Sequence, residues 1–167
     1  SLITYMRTDS VTIAKEAQIA AREYICETYG EAFVPEKFNV YKNKAAAQEA
    51  HEAIRPTDVR RTPESVAPYL DAQQLKLYTL IWKRFVASQM SCCRIDQTTV
   101  DSRIKGSDMR EYTFRAVGSV VTFPGFTKLY EYADKENKDK DESPVLAKLS
   151  CGLPLIIQRF DSAQKFT

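Results

Sequence analysis

Asp71-Ala72-Gln73-Gln74-Leu75-Lys76-Leu77-Tyr78-Thr79-Leu80-Ile81-Trp82-Lys83-Arg84-Phe85-Val86-Ala87-Ser88-Gln89-Met90 is the stretch on which the reading of the fold turns. Leu75, Tyr78, Trp82, Phe85, Val86 and Gln89-Met90 recur three and four residues apart, which predicts a helix from Asp71 to about residue 91. Just beyond, the period changes. Thr98-Thr99-Val100, Tyr112-Thr113-Phe114-Arg115-Ala116-Val117 and Ser119-Val120-Val121-Thr122-Phe123 are β-type runs, punctuated by Gly118 and by Pro124-Gly125. The switch near residue 92 predicts an α+β chain, with a helical domain over 1–91 and a β domain over 92–167.

Working outward, the residues before Asp71 keep the helical period. Asp9, Ser10 and Thr12 are cap-type residues ahead of Ile13, Ala17, Ala20, Ala21, Tyr24 and Ile25, and Gly30 supplies a stop. Thr62 as cap and Pro63 in the first helical position predict a short helix that Pro68 cuts. Toward the other end, Phe126 to Tyr132 is expected as a short helix. Ala133 to Ser143 reads as a solvated charge run, and Leu153-Pro154-Leu155-Ile156-Ile157 as a last strand. About four strands make an incomplete antiparallel sheet with open edges. The chain starts at Ser1 without Met and ends at Lys165-Phe166-Thr167. It is therefore expected to be a piece of a longer protein, whose other strands complete the sheet.

Composition bounds the function. With 44 % hydrophobic and 28 % charged residues the chain is of the soluble globular kind. No window of about 18 apolar residues predicts a membrane span. A net charge of +2, from 24 basic and 22 acidic side chains, makes no electrostatic case for nucleic acid. Both parts are equally balanced, so charge does not mark the boundary. Cys26, Cys92, Cys93 and Cys151 form no metal or disulfide pattern and are expected to be buried, reduced thiols in a cytoplasmic protein.

Two constellations carry chemistry. In Thr4-Tyr5-Met6-Arg7-Thr8-Asp9-Ser10, a tyrosine hydroxyl can attack phosphorus once activated. An arginine two residues on can grip the phosphate oxygens and stabilise the charge that builds on them. In an extended segment the two side chains share a face; a core tyrosine beside a surface arginine is the plain alternative. In Gln48-Glu49-Ala50-His51-Glu52-Ala53-Ile54-Arg55-Pro56-Thr57-Asp58, the only histidine sits among Glu49, Glu52 and Arg55. A histidine near a phosphate can donate a hydrogen bond or carry a proton. His51-Glu52 lacks the second histidine of a zinc protease motif.

Together, Ile3 to Ser10 and Gln48 to Asp58 resemble the type IA DNA topoisomerases, and Met6 between Tyr5 and Arg7 is similar to the bacterial topoisomerase I branch. The resemblance continues through Gln74 to Tyr78, Leu80 to Met90 and Phe123-Pro124-Gly125-Phe126, and covers essentially the whole chain. It implies a helical domain with a helix-turn-helix-like core, followed by the returning half of the β arch of a toroidal enzyme. It implies that Tyr5 cleaves one DNA strand and keeps a 5′-phosphotyrosyl bond, and that Arg7 holds the scissile phosphate. His51, with Arg55, is the expected DNA-binding pair, and Asp9 and Glu52 are expected to support. The implied substrate is a single-stranded segment of negatively supercoiled duplex DNA, relaxed without ATP.

The implied cofactor is Mg²⁺, held with the other catalytic groups by an upstream domain of the parent, so no metal is expected on this stretch. Asp139-Lys140-Asp141 only imitates an acidic pair. The stretch alone is expected to be inactive and to work with the remaining domains of the parent. Two rivals are a non-catalytic helix-turn-helix-like module that binds DNA or protein, and a purely structural domain. A Tyr5 ring buried in a core would favour the latter.

Overall fold

The computed structural model describes residues 1–41, 51–130, 151–154 and 156. They form an α+β chain in two compact units. Among the described residues, one holds Ser1–Arg94 and 121–130; the other holds Ile95–Val120 with 151–154 and 156.

The first unit packs three helices, α1 (Lys15–Tyr29), α2 (Pro63–Val66) and α3 (Ala72–Gln89). α3 starts where Asp71 accepts the N–H groups of Gln73 and Gln74 while Gln74 Oε1 accepts Asp71 N–H, a reciprocal capping box. Its buried stripe is Tyr78, Trp82, Phe85, Val86 and Gln89. Against it lie Ala21 and Ile25 of α1, Val66 of α2, and Val59, Met90 and Leu129. Tyr24 meets Trp82 edge to face at 5.7 Å. Thr62 caps α2, and Ala67–Tyr69 tightens into a 3-10 turn at Pro68. α1 stops at Gly30, whose φ of 98° lies in the region that favours glycine.

The start of α1 corrects the sequence reading. Asp9, Ser10 and Thr12 do not cap it: the N-cap is Ala14, with no side-chain bond of its own. The Ala14 N–H is instead answered by Glu52 Oε1 at 2.9 Å, a carboxylate from a distant loop placed at the positive end of the helix. The cap-type residues are engaged elsewhere, as the site geometry shows.

The second correction concerns the strands. β1 spans Arg94–Lys105 and β2 spans Glu111–Phe123, paired as a two-stranded antiparallel sheet. β1 is far longer than the Thr98-Thr99-Val100 run. β2 passes through Gly118, which is buried rather than a break. The turn between the strands closes through Gly106 N–H to Arg110 O at 2.8 Å, with Met109 at φ 67°. Two strands are present among the described residues, not about four. Leu153 and Pro154 are not strand, and Leu155, Ile157 and the charge run from Ala133 to Ser143 lie outside the described residues. A 3-10 helix, Gly125–Leu129, stands where a short helix was expected. Gly125 takes a φ of +50°, and a Cβ there would come within 2.5 Å of the Cys92 and Ser91 backbones. Only glycine fits that approach.

The cysteines also differ from expectation. All four are free, with Cys26, Cys92 and Cys151 exposed and Cys93 half-buried. Cys26 follows the buried Ile25 and so lies off the stripe that α1 turns to the core.

Candidate active site

The two motifs meet through an irregular ribbon of extended backbone. Thr4 N–H donates to Arg55 O at 2.9 Å and Thr57 N–H to Leu2 O at 3.0 Å, flanking an isolated antiparallel bridge between Ile3 and Pro56. Farther along, Ser10 Oγ donates to His51 O and Ala53 N–H donates to Thr12 O at 2.8 Å. The chain thus leaves the 51–57 segment after Thr4 and rejoins it at Ser10, and residues 5–9 form a loop between the two attachments. Gln48, Glu49 and Ala50 of the second motif lie outside the described residues.

α3 anchors this arrangement. Trp82 Nε1–H donates to Val59 O at 2.8 Å and Tyr78 O–H to Arg61 O at 2.6 Å. The two side chains are four residues apart and so share a helix face. Burial pushes the Tyr78 phenol up, which keeps it a neutral donor. Pro56 is fully buried. Arg60 forks onto Glu27 of α1 at 2.7 and 2.9 Å.

On that base the polar side chains converge. Arg7 Nη1 lies 2.8 Å from His51 Nε2, and Arg7 Nε donates to Asp9 Oδ2 at 3.0 Å. Arginine only donates, so His51 Nε2 accepts in this contact and the ring proton sits on Nδ1. Nη2 of Arg7 has no partner among the described residues, which leaves one edge of the guanidinium for an anion. Tyr5 is 82 % exposed and has no partner among the described residues. It is displayed rather than packed. Residues 5–9 are not a strand, so the two-residue alternation expected of Tyr5 and Arg7 is replaced by a loop in which Arg7 turns onto His51.

Arg55 faces inward. Its Nε and Nη2 grip Glu52 at 2.7 and 3.1 Å, its Nη1 donates to Pro56 O at 3.0 Å, and its side chain is 14 % exposed. Burial acts to raise the Glu52 carboxyl, but the bonds from Arg55 and Ala14 N–H and the Arg55 charge outweigh it, so it lies below its ordinary value. Among the described residues no cluster of three or more His, Cys, Asp or Glu could hold a metal ion. Thr4, Ser10 and Thr12, which do the fastening, were not singled out in the sequence for that role. Their partners lie some 40 to 50 residues away in the chain, and neither the hydroxyls of Thr4 and Ser10 nor the Thr12 carbonyl carry a signal of a distant partner.

Tyr5 is thus exposed on the loop that brings Arg7 to His51, and the ribbon bearing that loop is fastened to the helices. Residues 1–167 match the family described as DNA topoisomerase. The chain belongs to that family, in its bacterial type IA branch. It is 44 % identical over 170 residues to DNA topoisomerase 1 of Xylella fastidiosa (strain Temecula1 / ATCC 700964), covering 99 % of this chain and 20 % of the relative. It is 42 % identical over 165 residues to DNA topoisomerase 1 of Vibrio cholerae, covering 99 % of this chain and 18 % of the relative. Full-length topoisomerase I from Thermotoga maritima is similar in structure, with a TM-score of 0.62 and 38 % identity over 78 % of this chain and 19 % of that one. The chain thus spans about a fifth of the length of the curated relatives it matches.

Proposed function

We propose that this chain supplies the cleaving tyrosine of a type IA topoisomerase that relaxes negatively supercoiled DNA. The observation that carries the proposal is the exposed Tyr5 in one loop with Arg7, itself held against His51. The Tyr5 oxygen attacks the phosphorus of a single-stranded segment as the P–O3′ bond breaks. The tyrosine proton ends on the leaving 3′ oxygen, and the 5′-phosphate stays on Tyr5. The free edge of Arg7 receives the phosphate oxygens while Asp9 holds its Nε, and an Arg–phosphate fork is the strongest bond such a loop can offer. His51 belongs to the DNA-binding set; Arg55, expected from the sequence to join it, is spent on Glu52 and Pro56 O and supports the segment from within together with Glu52. One ester replaces another, so the reverse step religates the strand without ATP.

Mg²⁺ does not fit the described residues and no step above passes through it; we assign it to another domain of the parent. The remaining domains are the other partners, and the setting is cytoplasmic. No described helix is long and apolar enough to cross a membrane. The rival binding module is not favoured by the relatives, and the exposed Tyr5 ring runs against a purely structural domain.

The test is Tyr5→Phe in the full-length enzyme with a labelled single-stranded oligonucleotide. We expect DNA binding without covalent adduct; adduct on the Phe variant would remove Tyr5 as nucleophile. The chain alone should not relax plasmid DNA with Mg²⁺, and turnover would show that no other domain is needed.

A further inference from the structure

We infer that Thr4 is a positioning residue for Tyr5, acting through its hydroxyl; the inference rests on Tyr5 being the nucleophile. Thr4 Oγ1 donates to Ala53 O at 2.9 Å and accepts Arg55 N–H at 3.0 Å. The Thr4 N–H already donates to Arg55 O at 2.9 Å. Backbone and side chain of one residue thus clasp the 53–55 segment, where a plain antiparallel pair would use backbone alone. The next attachment of the loop is Arg7 on His51. Only Tyr5 and Met6 lie between the two attachments, and both are exposed. Neither side chain packs to hold itself, so the direction in which Tyr5 leaves the ribbon is set by the residues on either side.

The clasp fixes the backbone torsions at Thr4. Without the hydroxyl, Ala53 O and Arg55 N–H lose this partner, and the peptide ahead of Tyr5 gains freedom to rotate. Small rotations there swing the phenol across a large arc, and attack on phosphorus tolerates little misplacement. Arg7 and His51 are held independently, by each other and by Asp9 and Ser10. Loss of the clasp should therefore impair the tyrosine's approach while leaving DNA capture intact.

The experiment uses the full-length enzyme and a labelled single-stranded oligonucleotide, with Thr4→Val, Thr4→Ser and Tyr5→Phe. Valine keeps the shape and removes the hydroxyl. We expect the rate of adduct formation per DNA-bound Thr4→Val enzyme to fall about 10- to 100-fold, the scale of a misplaced reacting group. DNA affinity should stay unchanged, so the loss falls in kcat rather than KM. Religation should slow in step, leaving the final adduct fraction as in the parent. Thr4→Ser, which keeps the hydroxyl, should recover most of the rate.

A Thr4→Val enzyme that reacts at the parent rate overturns the inference. So does a Thr4→Ser enzyme as slow as Thr4→Val, or a Thr4→Val enzyme whose defect lies in DNA binding, which would make the clasp merely structural. Adduct on Tyr5→Phe would fail the nucleophile assignment itself; a silent Tyr5→Phe beside a normal Thr4→Val fails only the role of Thr4.

Discussion

Two stretches of extended backbone in this chain follow opposite rules. The ribbon of residues 2–12 against 51–57 has one isolated bridge and no regular strand. Yet Pro56 is fully buried, Leu2 and Ile3 pack on the core, and Tyr78 and Trp82 fasten its continuation to α3. The hairpin of β1 and β2 has strands of 12 and 13 residues. Yet Ile95, Ile104, Tyr112, Val117 and Val120 remain exposed. Regular pairing does not by itself create burial, because a sheet hides a face only against another layer. The ribbon has that layer in the helices, so it can give up regular pairing and let side chains such as Thr4, Ser10 and Glu52 choose where the chain leaves and returns. The contrast explains why the polar site sits on the irregular stretch.

The sharpest way to break the contrast is to remove the layer. Trp82→Ala empties a buried site in the core and frees Val59 O, and should cost about 3–5 kcal/mol, read as a lowered urea midpoint of helical circular dichroism. A small change would mean that the ribbon does not depend on α3. Gly125→Ala comes next. The residue follows β2, where the chain returns to the helices, and a Cβ would meet backbone rather than a flexible side chain. Positive φ and overpacking together predict a loss of about 2–4 kcal/mol in the same urea titration; a neutral result would show that the turn relaxes freely.

The same contrast separates what was legible in the sequence from what was not. α3 was legible because Tyr78, Trp82, Phe85, Val86 and Met90 declare a helix by spacing alone and are all buried. The Gly30 stop and the Thr62-Pro63 start were legible because their chemistry is local. The start of α1 was not: Asp9 carries cap chemistry that Arg7 takes up, and Ser10 and Thr12 are drawn to His51 and Ala53, far along the chain. Glu52 replaces them from 38 residues away. β1 was under-read because both its faces are largely exposed, so Asp96, Gln97, Asp101 and Arg103 hide the alternation that burial imposes. The two motifs were legible as sequence patterns; the way they are brought together was not, because it rests on long-range hydrogen bonds that leave no periodic trace.

Glu52 tests how the ribbon is held at its other end. Glu52→Gln removes the charge gripped by Arg55 while keeping an acceptor for Ala14 N–H. For a partly exposed pair the cost should be about 1–2 kcal/mol at neutral pH. The sign of the pH dependence follows from the shift. The folded carboxyl lies below its ordinary value, so its contribution is complete above the ordinary glutamate range and disappears as pH falls through the lower, folded value. Urea midpoints of the parent and variant chains should therefore differ at neutral pH and converge in acid. A gap that persists unchanged in acid would mean that shape rather than charge holds the ribbon.

The smallest effect belongs to the hairpin. Ile95 lies in β1 and is 55 % exposed. Ile95→Thr keeps the β-branched backbone preference and exchanges apolar surface for a hydroxyl. If the hairpin face is open to water in the free chain, the substitution should change the unfolding free energy read from the urea titration by no more than about 0.5 kcal/mol, because little burial is lost. A cost near that of a core residue would show that something covers this face in solution and would dissolve the contrast with the ribbon. In the full-length enzyme the same substitution should cost more wherever another layer lies against β1. The difference between the two measurements thus reads directly whether regular pairing or a second layer does the stabilising.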